Sequence, residues 1–174
     1  MLLKGKKTEL RALELSDIDT LYHWENNPEI WRVSDTVQPY SRYSLEEYVK
    51  SIQDIYTAKQ LRLIIEIASP QKQAIGCIDL FDFDALNSRV GLAILIADKN
   101  FRNKKFASEA LSLVIDYCFS VLFLHQLYCN ITVDNEESLK LFQSKKFEII
   151  GIKKDWIKTK NGFADEYVLQ LINE

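Results

Sequence analysis

Asp98-Lys99-Asn100-Phe101-Arg102-Asn103-Lys104-Lys105-Phe106-Ala107-Ser108-Glu109-Ala110-Leu111 joins the apolar run Leu92-Ala93-Ile94-Leu95-Ile96 to a strongly patterned helix. Its backbone amides and cationic side chains therefore sit at a strand-to-helix turn. The first N–H groups of a helix have no partner within it, and the aligned peptide dipoles add partial positive charge there, so a bound diphosphate satisfies both. Arg102, Lys104 and Lys105 supply further charge. The same residues would also suit a solvated helix start, so the surrounding pattern has to decide.

Downstream of the turn, Ala107, Ala110, Leu111, Val114, Ile115, Cys118, Phe119 and Leu122 recur at three- and four-residue intervals, a broad apolar stripe made for a core. Upstream, residues 61–68, 74–83 and 89–97 have strand character. They are separated by turn-forming stretches at Ser69-Pro70-Gln71-Lys72 and Asp84-Ala85-Leu86-Asn87-Ser88. An antiparallel meander is expected there.

Before the meander, residues 8–15 read as an opening strand, Ser16 as the N-cap of a helix reaching Asn26 or Asn27, and Pro28 as the start of a short turn. Ser44-Leu45-Glu46-Glu47 matches a capping box ahead of a helix to about Thr57. Beyond the striped helix come a strand at 127–133, a helix at 135–146 and strands at 147–158 and 166–172, the last two joined by a turn at Asn161-Gly162. One helix crossing between the strands ending at Ala97 and beginning at Leu127 would set those strands side by side and parallel. The expected fold is a mixed, mostly antiparallel α/β sheet flanked by helices, its two central strands diverging around a ligand.

At 174 residues one domain spanning 1–174 is expected, and a composition 47% hydrophobic and 27% charged matches a globular protein rather than a disordered chain. The net charge of −3 provides no broad attraction to nucleic acid, and no recognisable nucleic-acid motif accompanies the basic turn. Cys77, Cys118 and Cys129 sit in apolar segments without zinc-site spacing, which reads as buried thiols in a reducing compartment. The N-terminus meets charge too early for a signal peptide, and no apolar run reaches membrane-spanning length, so a cytoplasmic location without a membrane partner is expected.

The chain resembles the GNAT superfamily of acyl-CoA-dependent N-acyltransferases over almost its whole length, nearest to bacterial members that acetylate ribosomal-protein N-termini or small polyamines. The likeness rests on Leu10-Arg11-Ala12-Leu13, Gly76-Cys77-Ile78-Asp79-Leu80, the turn from Arg102 through Leu111, and Asn135-x-x-Ser138-x-x-Leu141-Phe142 before Phe147. By this resemblance the co-substrate is acetyl-CoA and no metal is needed. The backbone of Ile94, Leu95 and Ile96 would pair with pantetheine. Arg102, Asn103, Lys104, Lys105, Phe106 and Ala107 would hold the diphosphate. Asn135 and Ser138 would approach the thiol, while Phe142 reads as a core residue that could also pack beneath the cofactor.

The family's diphosphate loop commonly has glycine where this chain has Lys105 and often where it has Asn103, and Lys146 replaces another usual glycine. A lysine there adds bulk but can contact phosphate. Many relatives carry tyrosine at the Phe142 position as the acid toward CoA sulfur, and phenylalanine cannot donate a proton. Another branch has a glutamate base where Asn130 stands, and an amide is no useful base at neutral pH. The protein-acetylating branch has serine at the Ser138 position as the proposed acid, making Ser138 the catalytic candidate and Asn130 a group to order water; Ser138 equally suits a small residue or cap at a helix start beside Asn135.

The expected partners are an amine-bearing small molecule or a protein N-terminus, and a homodimer is one assembly the resemblance allows. The acceptor would enter by residues 24–43 and 156–165, where Glu25, Asp35 and Asp165 could attract it or simply be solvated. Tyr22, Trp24 and Trp31 read as packing, and His23 and His125 fall in no catalytic pattern. The rival reading, prompted by Lys105, Asn130 and Phe142, is an acyl-CoA-binding regulator with weakened catalysis.

Overall fold

The computed structural model describes residues 3–31, 36 and 38–174. Eight strands form one sheet: β1 (Leu3–Lys4), β2 (Thr8–Ala12), β3 (Leu61–Ile67), β4 (Ala74–Asp84), β5 (Arg89–Ile96), β6 (Gln126–Thr132), β7 (Glu148–Thr159) and β8 (Gly162–Ile172). Their order across the sheet is β1-β2-β3-β4-β5-β6-β8-β7. Every neighbouring pair is antiparallel except β5 with β6, which are parallel. The expected meander is β3 to β5. Helices α1 (Ile18–Glu25), α2 (Arg42–Ser51) and α3 (Ile55–Ala58) precede it, α4 (Phe106–Ser120) crosses from β5 to β6, and α5 (Glu136–Gln143) follows β6.

Strand alternation sorts the side chains onto two faces. On one face Ile78, Leu80, Leu92, Leu127, Cys129 and Ile131 pack against Ala110, Leu111, Val114 and Cys118 of α4 and Phe142 of α5. On the other, Ile64 and Cys77 pack under Leu21 of α1 and Leu45 and Val49 of α2. The three cysteines are free and buried, and burial pushes each thiol up to about 12. None is a thiolate at neutral pH.

Several local expectations are corrected. The opening strand ends at Ala12 and a 3-10 turn, Leu15–Asp17, leads into α1, so Ser16 is not its N-cap. Arg11 grips both Asp17 carboxylate oxygens at 2.7 Å, and Asp17 accepts from the Glu14 amide, which fixes that turn. The cap of α2 is Ser41 rather than Ser44: its hydroxyl accepts from the Ser44 amide, while Glu47 pairs with Lys50. The helix expected to reach Thr57 stops at Ser51, because Asp54 captures the Tyr56 amide and the Thr57 hydroxyl and starts α3. The last strand begins at Gly162, four residues early, since β7 and β8 form a long hairpin. The turn lies at residues 160–161, with Gly162 at φ 128° opening β8. Ile30 and Trp31 amides donate to the Asn27 carbonyl, the turn expected at Pro28.

The helix expected over 135–146 is shorter. It closes after Gln143 with Phe147 N–H donating to the Phe142 carbonyl, Lys146 N–H to Gln143, and Lys146 left-handed at φ 67°. This is a Schellman motif, which favours glycine at the position Lys146 occupies. The backbone keeps a glycine geometry without the glycine. Lys146→Gly is therefore expected to stabilise the fold by about 1 kcal/mol, a Tm gain of roughly 2–4 °C in a thermal melt; an unchanged or lower Tm would contradict the strain.

Candidate active site

Pairing between β5 and β6 covers only Arg89 with Gln126, Val90 with Leu127 and Gly91 with Tyr128. Beyond those residues the two strands part. At the apex Gly91 has no room for a Cβ, which would fall 2.3 Å from the Phe81 ring, and Phe81 stands edge-on to Tyr128 at 5.6 Å. The edge of β5 from Leu92 to Ile96 that faces β6 thus presents backbone groups with no strand partner, a row of ready hydrogen-bond sites. Ile94 and Leu95 are half-buried and Ile96 is buried.

Because β5 and β6 run parallel, the chain leaves both at the same end of the opening. At that end β5 leads through the 97–105 loop into α4 and β6 leads into α5, and free amides at the start of α4 favour an anionic ligand. Between β5 and α4, Asn103 (φ 57°) and Lys105 (φ 69°) are both left-handed. These are the two positions where glycine was expected, and the loop adopts the glycine conformation with larger residues. Lys105 is also the N-cap of α4, with no side-chain cap bond. Arg102 is half-buried and its Nε donates to the Ile96 carbonyl at 3.0 Å, tying the loop to the end of β5. Phe106 and Ala107 open α4, half-buried, with Phe106 edge-on to Phe101 at 5.7 Å. Lys104 is exposed.

At the start of α5, Asn135 is the N-cap and its Oδ1 accepts from the Ser138 amide at 3.1 Å. Ser138 is half-buried, and among the described residues its hydroxyl has no hydrogen-bond partner. Phe142 is 2% exposed and packs edge-on against Phe147 at 5.1 Å, inside the core. Asn130 is exposed, and its Oδ1 accepts from Lys153 Nζ at 3.1 Å, while the same ammonium bonds Glu166 at 2.9 Å.

The groups expected near the acceptor are mostly committed elsewhere. Glu25 pairs with Arg62 at 2.5 Å, Asp165 holds Lys154 at 2.7 Å, and Asp35 lies outside the described residues. Arg62 also grips Asp79 through Nε (2.6 Å) and Nη2 (2.9 Å) and lies over the Tyr48 ring. Burial works against the charge of Arg62, but its partners together, Asp79 first among them, more than offset it and hold the guanidinium well above its ordinary pKa. Asp79 faces Ala93 across the β4–β5 pair, which sets the ion cluster one strand in from the diverging edge of β5.

Sequence reasoning missed both that cluster and Glu109. The Glu109 carboxylate accepts from the amides of Lys6, Lys7 and Thr8 and from the Thr8 hydroxyl, all within 2.9 Å. Burial opposes its charge, yet those donors hold its carboxyl below the ordinary carboxylate range. A glutamate in a first helical turn reads as a simple dipole complement, and its partners lie about a hundred residues away. Among the described residues no cluster of His, Cys, Asp and Glu could hold a metal ion, and no helix is long and apolar enough to cross a membrane.

Comparison with known proteins agrees with this geometry. The family described as acetyltransferase (GNAT) domain matches residues 7–148. Spermidine N(1)-acetyltransferase of Vibrio cholerae is 31% identical over 140 residues, covering 79% of this chain and 77% of the relative. The uncharacterized N-acetyltransferase p20 of Bacillus licheniformis is 28% identical over 98% of the chain and 95% of the relative. Among solved structures, spermidine N-acetyltransferase from Vibrio cholerae in complex with CoA and spermine superposes with a TM-score of 0.83 at 25% identity, over 97% of this chain and 96% of that one.

Proposed function

The chain belongs to the GNAT acetyltransferase family, and from that membership we propose that it moves the acetyl group of acetyl-CoA directly to a primary amine while both are bound. It is an N-acetyltransferase with acetyl-CoA as co-substrate and an amine as acceptor. Direct transfer within a ternary complex and a small polyamine as acceptor are our reading, supported by the spermidine acetyltransferases it resembles. A protein N-terminus ranks second. The observation that carries the reading is the parting of β5 and β6 beyond Gly91, with a helix following each strand in the chain.

In this arrangement the free backbone of Ile94, Leu95 and Ile96 holds the pantetheine arm. The amides of 103–107 and the cations of Arg102, Lys104 and Lys105 take the diphosphate. Asn103 and Lys105 fit that task because they already hold the left-handed backbone, so the missing glycines cost conformational strain rather than loop shape. Asn135 fixes the start of α5 and thereby Ser138.

An amine must be neutral to attack, and an alkylamine has a pKa of about 10.4, so a proton has to leave it first. No side chain described at the opening is a strong base, which leaves water ordered by Asn130 to carry that proton outward. Backbone N–H groups of β5 stabilise the negative charge growing on the carbonyl oxygen. Ser138 gives a proton to the departing sulfur.

A thiol-release assay with acetyl-CoA against polyamines, aminoglycosides, amino acids and ribosomal-protein peptides tests the proposal. Turnover highest with a polyamine is expected. Binding of CoA without turnover on any acceptor would contradict it, and turnover confined to peptides would move the acceptor to a protein N-terminus.

A further inference from the structure

A second feature adjoins the 102–107 loop on the side away from β6. Lys6, Lys7, Ile67, Ala68, Asn103, Lys104, Lys105 and Phe106 line a cleft of about 610 Å³. Four of these eight are lysines, in a chain whose net charge is −3. Among the described residues none of the four ammonium groups pairs with a carboxylate. Lys7 Nζ reaches only the Lys104 carbonyl, at 3.4 Å, and stands 6.0 Å from the Phe106 ring; Lys104 lies over Phe101.

The neighbouring carboxylate that could neutralise them is Glu109, and it is turned to other work. Both its oxygens are spent on the amides of Lys6, Lys7 and Thr8 and on the Thr8 hydroxyl. That contact clamps the β1–β2 turn to the first turn of α4, and Gly5 makes the approach possible, since a Cβ there would lie 2.6 Å from the Glu109 side chain. The clamp fixes the backbone of Lys6 and Lys7 beside the loop and, among the described residues, leaves their ammonium groups without a carboxylate partner. A surface cation normally has nearby counter-charge, and four held together without one repel each other at a cost an anion relieves.

We propose that Lys6 and Lys7, with Lys104 and Lys105, bind the 3′-phosphate of CoA and make this enzyme discriminate CoA from its 3′-dephospho form. The inference rests on the 102–107 loop holding the diphosphate. The next phosphate of that ligand is one ribose away, so a chain that turns from the loop toward β1 delivers a phosphomonoester to the lysines. Ile67, Ala68 and Phe106 give the cleft an apolar floor for the ribose and base. The loop's amides and cations serve the diphosphate, whereas Lys6 and Lys7 lie outside the loop and serve the monoester alone, so mutation at Lys6 and Lys7 separates the two contributions.

The test compares isotherms for CoA and 3′-dephospho-CoA on the full chain and on the double variant Lys6→Gln/Lys7→Gln, with a thermal melt to establish folding. Both lysines are exposed, and their structural contacts with Glu109 are made by backbone N–H groups that glutamine retains. The unmodified chain is expected to bind CoA about tenfold more tightly than the dephospho form, the worth of one charge-assisted contact at an open site. In the double variant that ratio should fall to near one, through weaker CoA binding with dephospho-CoA binding unmoved. Inorganic phosphate at millimolar concentration should weaken CoA binding to the unmodified chain alone. Equal affinity for the two ligands in the unmodified chain, or a preference that survives in the double variant, would overturn the assignment while leaving the diphosphate loop intact. Failure to bind either ligand would bring down the loop reading and this one with it.

Discussion

Replacing Ser138 with alanine is expected to lower kcat about a hundredfold while leaving the KM for acetyl-CoA nearly unchanged, the size of effect expected when a positioned proton donor is lost. The expectation follows from which atoms each partner uses. Asn135 caps α5 through the Ser138 amide, and alanine keeps that amide. The hydroxyl has no other hydrogen bond among the described residues, so its removal breaks no structural contact. Phe142 cannot substitute, being buried against Phe147 without a hydroxyl. Cys129, next to Asn130 on β6, is held protonated by burial and faces the core. A split between kcat and KM in steady-state kinetics would separate the chemical role from cofactor binding; an unchanged kcat would reject Ser138 as the acid.

Arg62→Ala should destabilise the fold by about 3 kcal/mol, read as a lower denaturant midpoint. Removing the guanidinium leaves Asp79 and Glu25 facing each other without a cation in a half-buried site, and it removes a cation lying over the Tyr48 ring. The value is set at the low end for a buried network because Glu25 and Asp79 keep partial access to water. Since Asp79 lies across from Ala93 beside the open edge of β5, the same change should also raise the KM for the amine. Arg62→Lys should recover only part of the stability, because an ammonium cannot reproduce the two-nitrogen grip on Asp79. A midpoint unmoved by Arg62→Ala would show that the cluster contributes nothing net.

The architecture was legible in the sequence where periodicity is strong and local. The apolar stripe of α4 and the apolar, turn-bounded runs of the β3–β5 meander are signals written within a dozen residues, and both fall within one or two residues of their expected bounds. The parallel β5–β6 contact followed from the crossover helix between them. Caps were harder, because several side chains compete for the same amides. Ser41 and Ser44 both suit a helix start, and the extended backbone of Ser41, with its hydroxyl on the Ser44 amide, settles the cap on Ser41. Asp17 replaces Ser16 because Arg11, on the neighbouring strand, holds it.

Of the site, the loop and the start of α5 were legible because they are contiguous. The backbone conformation of Asn103, Lys105 and Lys146 was not, since their side chains argue against the left-handed region that tertiary packing imposes. The Arg62 cluster and the Glu109 clamp were invisible for another reason: each joins residues from distant segments, and pairing of that kind is decided only when the sheet order is known.

The most direct test of the central claim is a crystal structure of the protein with CoA. Density for the pantetheine arm is expected along the backbone of Ile94, Leu95 and Ile96, between β5 and β6, with the diphosphate against the amides of residues 103–107. Closed strands with continuous β5–β6 hydrogen bonding beyond Gly91, or CoA lodged anywhere else on the protein, would contradict it.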